Sequence, residues 1–108
     1  MHAFDVLGDP VRRRILELLI EGECSSGGMV VIIRSEFGIS QAAVSQHLKV
    51  LKEGGFAVSR IDGQKRIYQL KPEAFSVVDA WLEQFRGFWE NKLDSLALEI
   101  ELGKNNSS

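Results

Sequence analysis

The sequence contains one cysteine, Cys24, and no long run of apolar residues. A single cysteine excludes an intrachain disulfide and a metal site built only from the thiolates of one chain. A membrane-spanning helix needs about 20 consecutive apolar residues, and no stretch approaches that length. The first residues also lack the basic stretch and apolar core of a secretory signal. We therefore expect a cytoplasmic protein with no membrane partner.

The sequence also lacks the residue patterns on which most catalytic and cofactor sites are built. No paired carboxylates, no nucleophile with a neighbouring base and no glycine-rich phosphate loop occur at a useful spacing. Only two histidines accompany the cysteine, whereas a transition-metal site needs three or four soft or imidazole ligands. We expect no enzyme activity, no catalytic residue, no cofactor and no metal ligand.

Charge is distributed unevenly along the 108 residues, a length that fits one domain. The formal net charge is -2, which by itself argues against a nucleic-acid partner. Residues 34–71, however, carry seven basic and three acidic side chains, while residues 1–33 and 72–108 are each net acidic. This distribution is what a protein would have if only its middle segment faced DNA phosphates.

Two helices are predicted near the N-terminus. Asp9-Pro10 is a start signal, because Asp can accept from free backbone N–H groups and Pro fits the first position of a helix. Apolar residues at helical spacing then continue until Gly22. A short helix over residues 2–7 would precede this one and present Phe4 and Leu7.

The segment after a predicted turn at residues 25–28 allows two interpretations. Residues 29–33 are rich in β-branched side chains, which favours a strand. The same apolar residues also recur at helical spacing, with Ser26 available as a cap and Gly38 as the end. The residues alone leave both open.

A helix followed by a hairpin is predicted in the basic middle segment. Ser40 can cap a helix that closes at Gly54-Gly55, and residues 56–61 and 64–70 then form two strands joined by Asp62-Gly63. With the preceding helix and turn, this order is typical of a helix-turn-helix with a wing, whose second helix enters the major groove. The predicted fold is mostly α with a small β-hairpin.

The helix from Ser40 is predicted to read DNA with its polar face. Its apolar stripe would pack inward and leave short polar side chains that suit base edges, while Lys49 is expected to reach a phosphate. His47 lies beside the stripe and could instead pack between helices. Such a face could simply be solvated, but the neighbouring turn and wing favour DNA recognition. The predicted DNA-binding residues are Ser40, Gln41, Ala42, Ser45, Gln46, His47 and Lys49 on the helix and Arg60, Gln64, Lys65 and Arg66 on the wing.

Residues 72–102 are predicted to form one long helix, followed by a flexible tail over residues 103–108. At about 1.5 Å per residue the helix would be about 46 Å long, more than one small domain can cover. We expect it to pair two copies of the chain, together with the first helix. The predicted dimer interface is Phe4, Leu7, Val78, Leu82, Phe85, Trp89, Leu93 and Leu96. As an alternative, an apolar effector could be bound by Trp81, Phe85, Phe88 and Trp89.

Two stretches of the sequence resemble the ArsR family of bacterial repressors. They are LGDPVRRRILELL at residues 7–19 and ISQAAVSQHLKVLKEGG at residues 39–55, and the wing sequence at residues 62–70 continues the similarity. The resemblance implies a winged-helix homodimer that binds a two-fold symmetric operator in double-stranded DNA. It further implies repression of its own or a neighbouring promoter, relieved by an effector that the sequence does not reveal.

The resemblance also implies what individual residues do. It predicts DNA contacts from Gln41, Ser45 and Gln46, and it favours the helix over the strand at residues 29–33. Many members of the family sense metal through a Cys-x-Cys, where this chain reads Cys24-Ser-Ser, and its last helix has no histidine. We therefore expect a regulator that does not sense metal. A lone cysteine is more often a small buried apolar residue than a redox switch, and the sequence leaves both open for Cys24. The alternative is a dimeric winged-helix adaptor that binds protein.

Overall fold

The computed structural model describes the backbone of residues 2–106 and the side chains of residues 2–97. Two compact units follow one another, divided between Ser76 and Val77. The described range is mostly α-helical with a small antiparallel sheet, as the sequence predicts. The elements are α1 (Ala3–Leu7), α2 (Pro10–Ile20), β1 (Cys24–Ser25), α3 (Ser26–Phe37), α4 (Gln41–Glu53), β2 (Ala57–Asp62), β3 (Lys65–Leu70), a 3₁₀ turn (Pro72–Phe75) and α5 (Ser76–Asn106).

The start of α2 is fixed by a capping carboxylate. Asp9 accepts hydrogen bonds from the backbone N–H groups of Val11 at 2.8 Å and Arg12 at 3.0 Å. Partial burial raises the pKa of Asp9, but these N–H groups and the charges of His47 and Arg12 outweigh it, so the pKa lies below its ordinary value. The carboxylate therefore caps α2 in its ionised form at neutral pH.

The helical interpretation of residues 29–33 is confirmed, since they lie inside α3. Met29 and Ile33 are fully buried, and Gly38 ends the helix in the left-handed conformation at φ 67°. The predicted turn at residues 25–28 is wrong. Ser25, not Ser26, caps α3 by accepting the N–H of Gly28 at 3.1 Å, so the segment is already the first turn of the helix.

One apolar core joins the helices of the first unit. Its fully buried side chains come from four helices: Val6 of α1, Ile15 of α2, Met29 and Ile33 of α3, and Val44 and Leu51 of α4. Each such side chain contributes on the order of 1.5–3 kcal/mol through burial. Arg14 adds a paired contact at the surface, with its guanidinium 2.8 and 3.0 Å from the carboxylate of Glu36 on α3. The helix-turn-helix is thus held as one packed body.

The wing belongs to a sheet of three strands in the order β1-β3-β2. The hairpin is confirmed, but its two-residue loop is Gly63-Gln64, because Asp62 pairs with Lys65. Gly63 supplies the positive φ of 63° at the first loop position, which is why the loop falls one residue later than the sequence predicts. The third strand, β1, is an addition to the prediction: Cys24 and Ser25 pair with Tyr68 and Ile67.

The last helix differs from its predicted bounds at both ends. Pro72 opens a 3₁₀ turn, and α5 begins only at Ser76. The helix then continues past Gly103 to Asn106, four residues beyond its predicted end, and residues 107–108 lie outside the described range. Glycine costs a helix about 1 kcal/mol but keeps its backbone N–H, so it need not end one. Among the described residues, no helix combines the length and apolarity of a membrane span.

Candidate nucleic-acid interface

Helix α4 presents a buried stripe on one side and a polar face on the other. Val44, Leu48 and Leu51 are 0, 2 and 0% exposed and attach the helix to the core. Because side chains turn by about 100° per residue, the opposite side faces solvent. Ala42, Gln46 and Lys49 are exposed on that side and Ser45 on its flank. Gln41 is exposed as well, at the first turn of the helix, although it lies one heptad before Leu48 and thus nearer the buried stripe. All five are among the residues predicted to contact DNA.

The N-terminus of α4 is capped by Ser40, as the sequence predicts. Its hydroxyl oxygen accepts the N–H of Ala43 at 3.1 Å. A hydroxyl has one proton of its own, so Ser40 can still donate a hydrogen bond while it caps the helix. The start of the helix also attracts anions through its partial positive charge. Ser40 is therefore placed where a DNA phosphate would be favoured.

Two further residues of α4, Lys49 and His47, differ in how freely they could contact DNA. Lys49 lies 3.9 Å from Glu53, but both side chains are about two thirds exposed. Such pairs are weak, so Lys49 can leave Glu53 for a phosphate. His47 is only half-buried and interacts electrostatically with Asp9 at the start of α2. Whether His47 packs between helices or contacts DNA stays a prediction.

The strand register separates the basic residues of the wing. Arg60 is opposite Ile67 and Lys65 is opposite Asp62, so both lie on one face of the hairpin. Arg66 is opposite Ile61 and lies on the other face, where its guanidinium donates to the Ser59 hydroxyl at 3.4 Å. Gln64 occupies the exposed tip. The structure thus brings the predicted wing residues to one hairpin but not to one face.

Two features next to the wing escape prediction from sequence. One is Glu23, whose carboxylate lies 2.7 Å from Nη2 of Arg60. The other is a cleft of about 380 Å³ between the start of α3 and the wing, lined by Ser25, Ser26, Gly27, Gly28, Gln64, Lys65 and Arg66. Both depend on the pairing of β1 with β3. A two-residue strand has too few positions to show the alternation that would reveal it.

The aromatic residues of α5 form an exposed surface within the second unit. Trp81 and Phe85 are in contact at 4.8 Å between ring centroids, and Phe88 and Trp89 at 5.8 Å. A shallow groove of about 410 Å³ is lined by Trp81, Leu82, Phe85, Arg86 and Trp89. Phe88 is outside its lining. Of the predicted interface residues on this helix, Val78 is half-buried and the other five are exposed.

The predicted interface residues of the first unit lie on α1, where Phe4 is 39% exposed and Leu7 is half-buried.

Cys24 is half-buried, with its thiol 3.7 Å from the carbonyl oxygen of Leu18 and 3.6 Å from that of Gly22. Within the part of the chain that the structure describes, no three His, Cys, Asp or Glu side chains come together as a metal site would require.

Comparison with known proteins gives this geometry a family context. The family profile described as bacterial regulatory protein, arsR family, matches residues 9–59, from the cap of α2 to the middle of β2. The HTH-type transcriptional regulator Rv2034 of Mycobacterium tuberculosis is 34% identical over 93% of this chain and 87% of its own length. The transcriptional repressor SdpR of Bacillus subtilis is 30% identical over 85% and 98%.

A solved structure shares both fold and sequence. The crystal structure of a possible transcriptional regulator for arsenical resistance has a TM-score of 0.59 and 36% identity, and the match covers 88% of this chain and 92% of that one. The similarity therefore extends beyond the helix-turn-helix to most of the chain. It makes the winged-helix assignment secure.

Proposed function

We propose a specific role from the premise that this chain belongs to the ArsR family of bacterial regulatory proteins and is a DNA-binding transcriptional regulator. In our proposal it acts as a homodimer that binds a two-fold symmetric operator and represses its own or a neighbouring promoter. The observation that carries the proposal is the polar face of α4, exposed opposite a fully buried stripe and followed directly by a basic wing.

Base reading is assigned to α4. The major groove is about 12 Å wide and admits one helix, which would bring Gln41, Ser45 and Gln46 to the base edges. Gln can bond adenine with both the oxygen and the NH₂ of its side-chain amide, Ala42 can meet a thymine methyl group, and Lys49 would hold a phosphate. Two copies related by a two-fold axis would place their α4 helices about 34 Å apart, one turn of DNA, so that each reads a half-site.

The substitution Gln46→Ala tests whether this face reads sequence. We expect it to weaken binding to a duplex selected from a random pool by about 1–3 kcal/mol, because one bidentate base contact is lost. Binding to a scrambled duplex should hardly change, since phosphate contacts remain. Fluorescence anisotropy titrations with both duplexes measure the difference.

Gln84→Ala is the matched control, because it removes the same exposed side chain from α5, which is outside the proposed DNA interface. It should leave both affinities unchanged. If Gln46→Ala keeps the full preference of the natural chain, Gln46 does not belong to the reading face.

The wing is assigned to the DNA backbone. The double substitution Lys65→Ala/Arg66→Ala should weaken binding to selected and scrambled duplexes alike, because phosphates are the same in both. It should also make the slope of log affinity against log salt less steep by about 1.8, because two phosphate contacts are lost and each contributes close to 0.9. Titrations between 50 and 300 mM salt provide the slope.

Lys71→Ala/Lys92→Ala removes two positive charges elsewhere and serves as the control. An equal loss of slope in the control would mean that overall charge, not the wing, sets the salt dependence. A folded natural chain without salt-dependent DNA affinity would favour the alternative, an adaptor that binds protein.

We also propose that this regulator does not sense metal. Its single thiol points at backbone carbonyl groups, and the position of the family's second thiol is occupied by Ser26. One thiol provides at most one of the three or four ligands that such an ion requires. An apolar effector on the α5 groove is the other use that its aromatic residues allow.

A further inference from the structure

An ion pair ties the wing to the loop that precedes β1. Nη2 of Arg60 lies 2.7 Å from a carboxylate oxygen of Glu23, and the two side chains are 52% and 45% exposed. The hydrogen bond and charge of Arg60 lower the pKa of Glu23, and those of Glu23 raise the pKa of Arg60. Both groups are therefore charged at neutral pH, and the pair persists there.

The Arg60 guanidinium that pairs with Glu23 is also the group that would bind a DNA phosphate. A guanidinium presents a planar fork of donors that fits a carboxylate or a phosphate in the same way. Arg60 shares its face of the hairpin with Lys65, which makes no ion pair among the described residues. The remaining cation of the wing, Arg66, bonds only a neutral hydroxyl in that same range. Among the described residues, Arg60 is thus the only wing cation in an ion pair, while Asp62 on the same face acts on it only through its charge.

We infer that Glu23 lowers the DNA affinity of this regulator by competing with DNA phosphate for Arg60. The inference rests on the proposed function, in which the wing contacts the DNA backbone. Exposed ion pairs are weak and screened by salt, so DNA can displace Glu23 from Arg60. Breaking the Glu23–Arg60 pair costs free energy, so it reduces the net free energy that Arg60 contributes to DNA binding. Glu23 is thereby an affinity-determining residue that never needs to touch DNA.

The variant E23Q tests the competition because the amide keeps the shape of the side chain and loses its charge. At 50–100 mM salt we expect E23Q to bind selected and scrambled duplexes about two- to fivefold more tightly, the factor that corresponds to one exposed ion pair. The slope of log affinity against log salt should steepen by up to about 0.9, one phosphate contact. The advantage should therefore shrink as salt is raised.

A double-mutant cycle shows whether the gain passes through Arg60. R60A should abolish the gain, so that E23Q/R60A binds like R60A alone. Circular dichroism should show the same helix content in all variants, since the pair is on the surface. Equal gains from E23Q with and without Arg60 would overturn the inference.

E21Q is the matched control, because Glu21 is an exposed carboxylate two residues earlier and makes no ion pair within the described range. It removes the same charge and should tighten binding much less. If E21Q tightens binding as much as E23Q, net charge explains the effect and the inference fails. Weaker binding by E23Q would also overturn it, since Glu23 would then position the wing. Failure of the natural chain to bind any duplex would instead refute the proposed function.

Discussion

Leu51→Ala is expected to lower the free energy of unfolding of the first unit by about 2–5 kcal/mol. Leu51 is fully buried in the stripe that attaches α4 to the core, and its carbonyl oxygen accepts the N–H of Phe56 at 2.9 Å, where the chain enters the wing. Truncation to Ala removes three buried carbon atoms and leaves a cavity that the surrounding helices fill only in part. Stability and DNA binding should fall together, because the same residue anchors α4, the helix that we propose reads DNA.

Thermal and urea unfolding followed by circular dichroism at fixed protein concentration measure the loss. A unit of this size should lose roughly 4–8 °C in Tm for each kcal/mol. Lys52→Ala, one residue further along α4 and exposed, is the control and should change stability by less than about 0.5 kcal/mol. A loss below about 1 kcal/mol for Leu51→Ala would contradict the packing of α4 described above.

The sequence predicts those features that neighbouring residues determine. The caps at Asp9 and Ser40 follow from side chains that bond N–H groups two or three residues away. The exposed face of α4 follows from the apolar stripe, because one periodicity places both sides of a helix. Residues 29–33 needed more than their own pattern, since β-branched side chains are compatible with either structure until the neighbouring elements are known.

Features that depend on distant residues could not be derived in the same way. Glu23 and Arg60 meet only because Cys24 pairs with Tyr68, and nothing in either local sequence indicates that contact. The residue opposite each wing cation likewise depends on the position of the loop, although strand alternation alone already places Lys65 and Arg66 on opposite faces. The wing was therefore predictable as a basic hairpin, but its ion pair with Glu23 was not.

The dimer proposal predicts the largest effect on DNA binding. We expect Phe85→Glu/Leu93→Glu to convert a dimer into a monomer of about 12.1 kDa. The two side chains are 39% and 59% exposed on one apolar stripe of α5, and burying two charges there on each copy would be strongly unfavourable. An exposed stripe of this kind is uncommon in monomers and typical of an interface.

Affinity for a two-fold symmetric duplex should then fall by about 10²–10⁴, because each half-site is bound independently once the copies are separate. Gln84→Glu/Asn91→Glu adds the same charges on the opposite side of α5 and should leave both the dimer and its affinity intact. Native mass spectrometry distinguishes the assemblies and reveals bound molecules. A monomeric natural chain, or equal dissociation in both variants, would refute the proposed interface.

The same mass spectra test the proposal on sensing. Bound zinc would contradict the proposal that this regulator does not sense metal, whereas a bound apolar molecule would assign the aromatic groove of α5 to an effector.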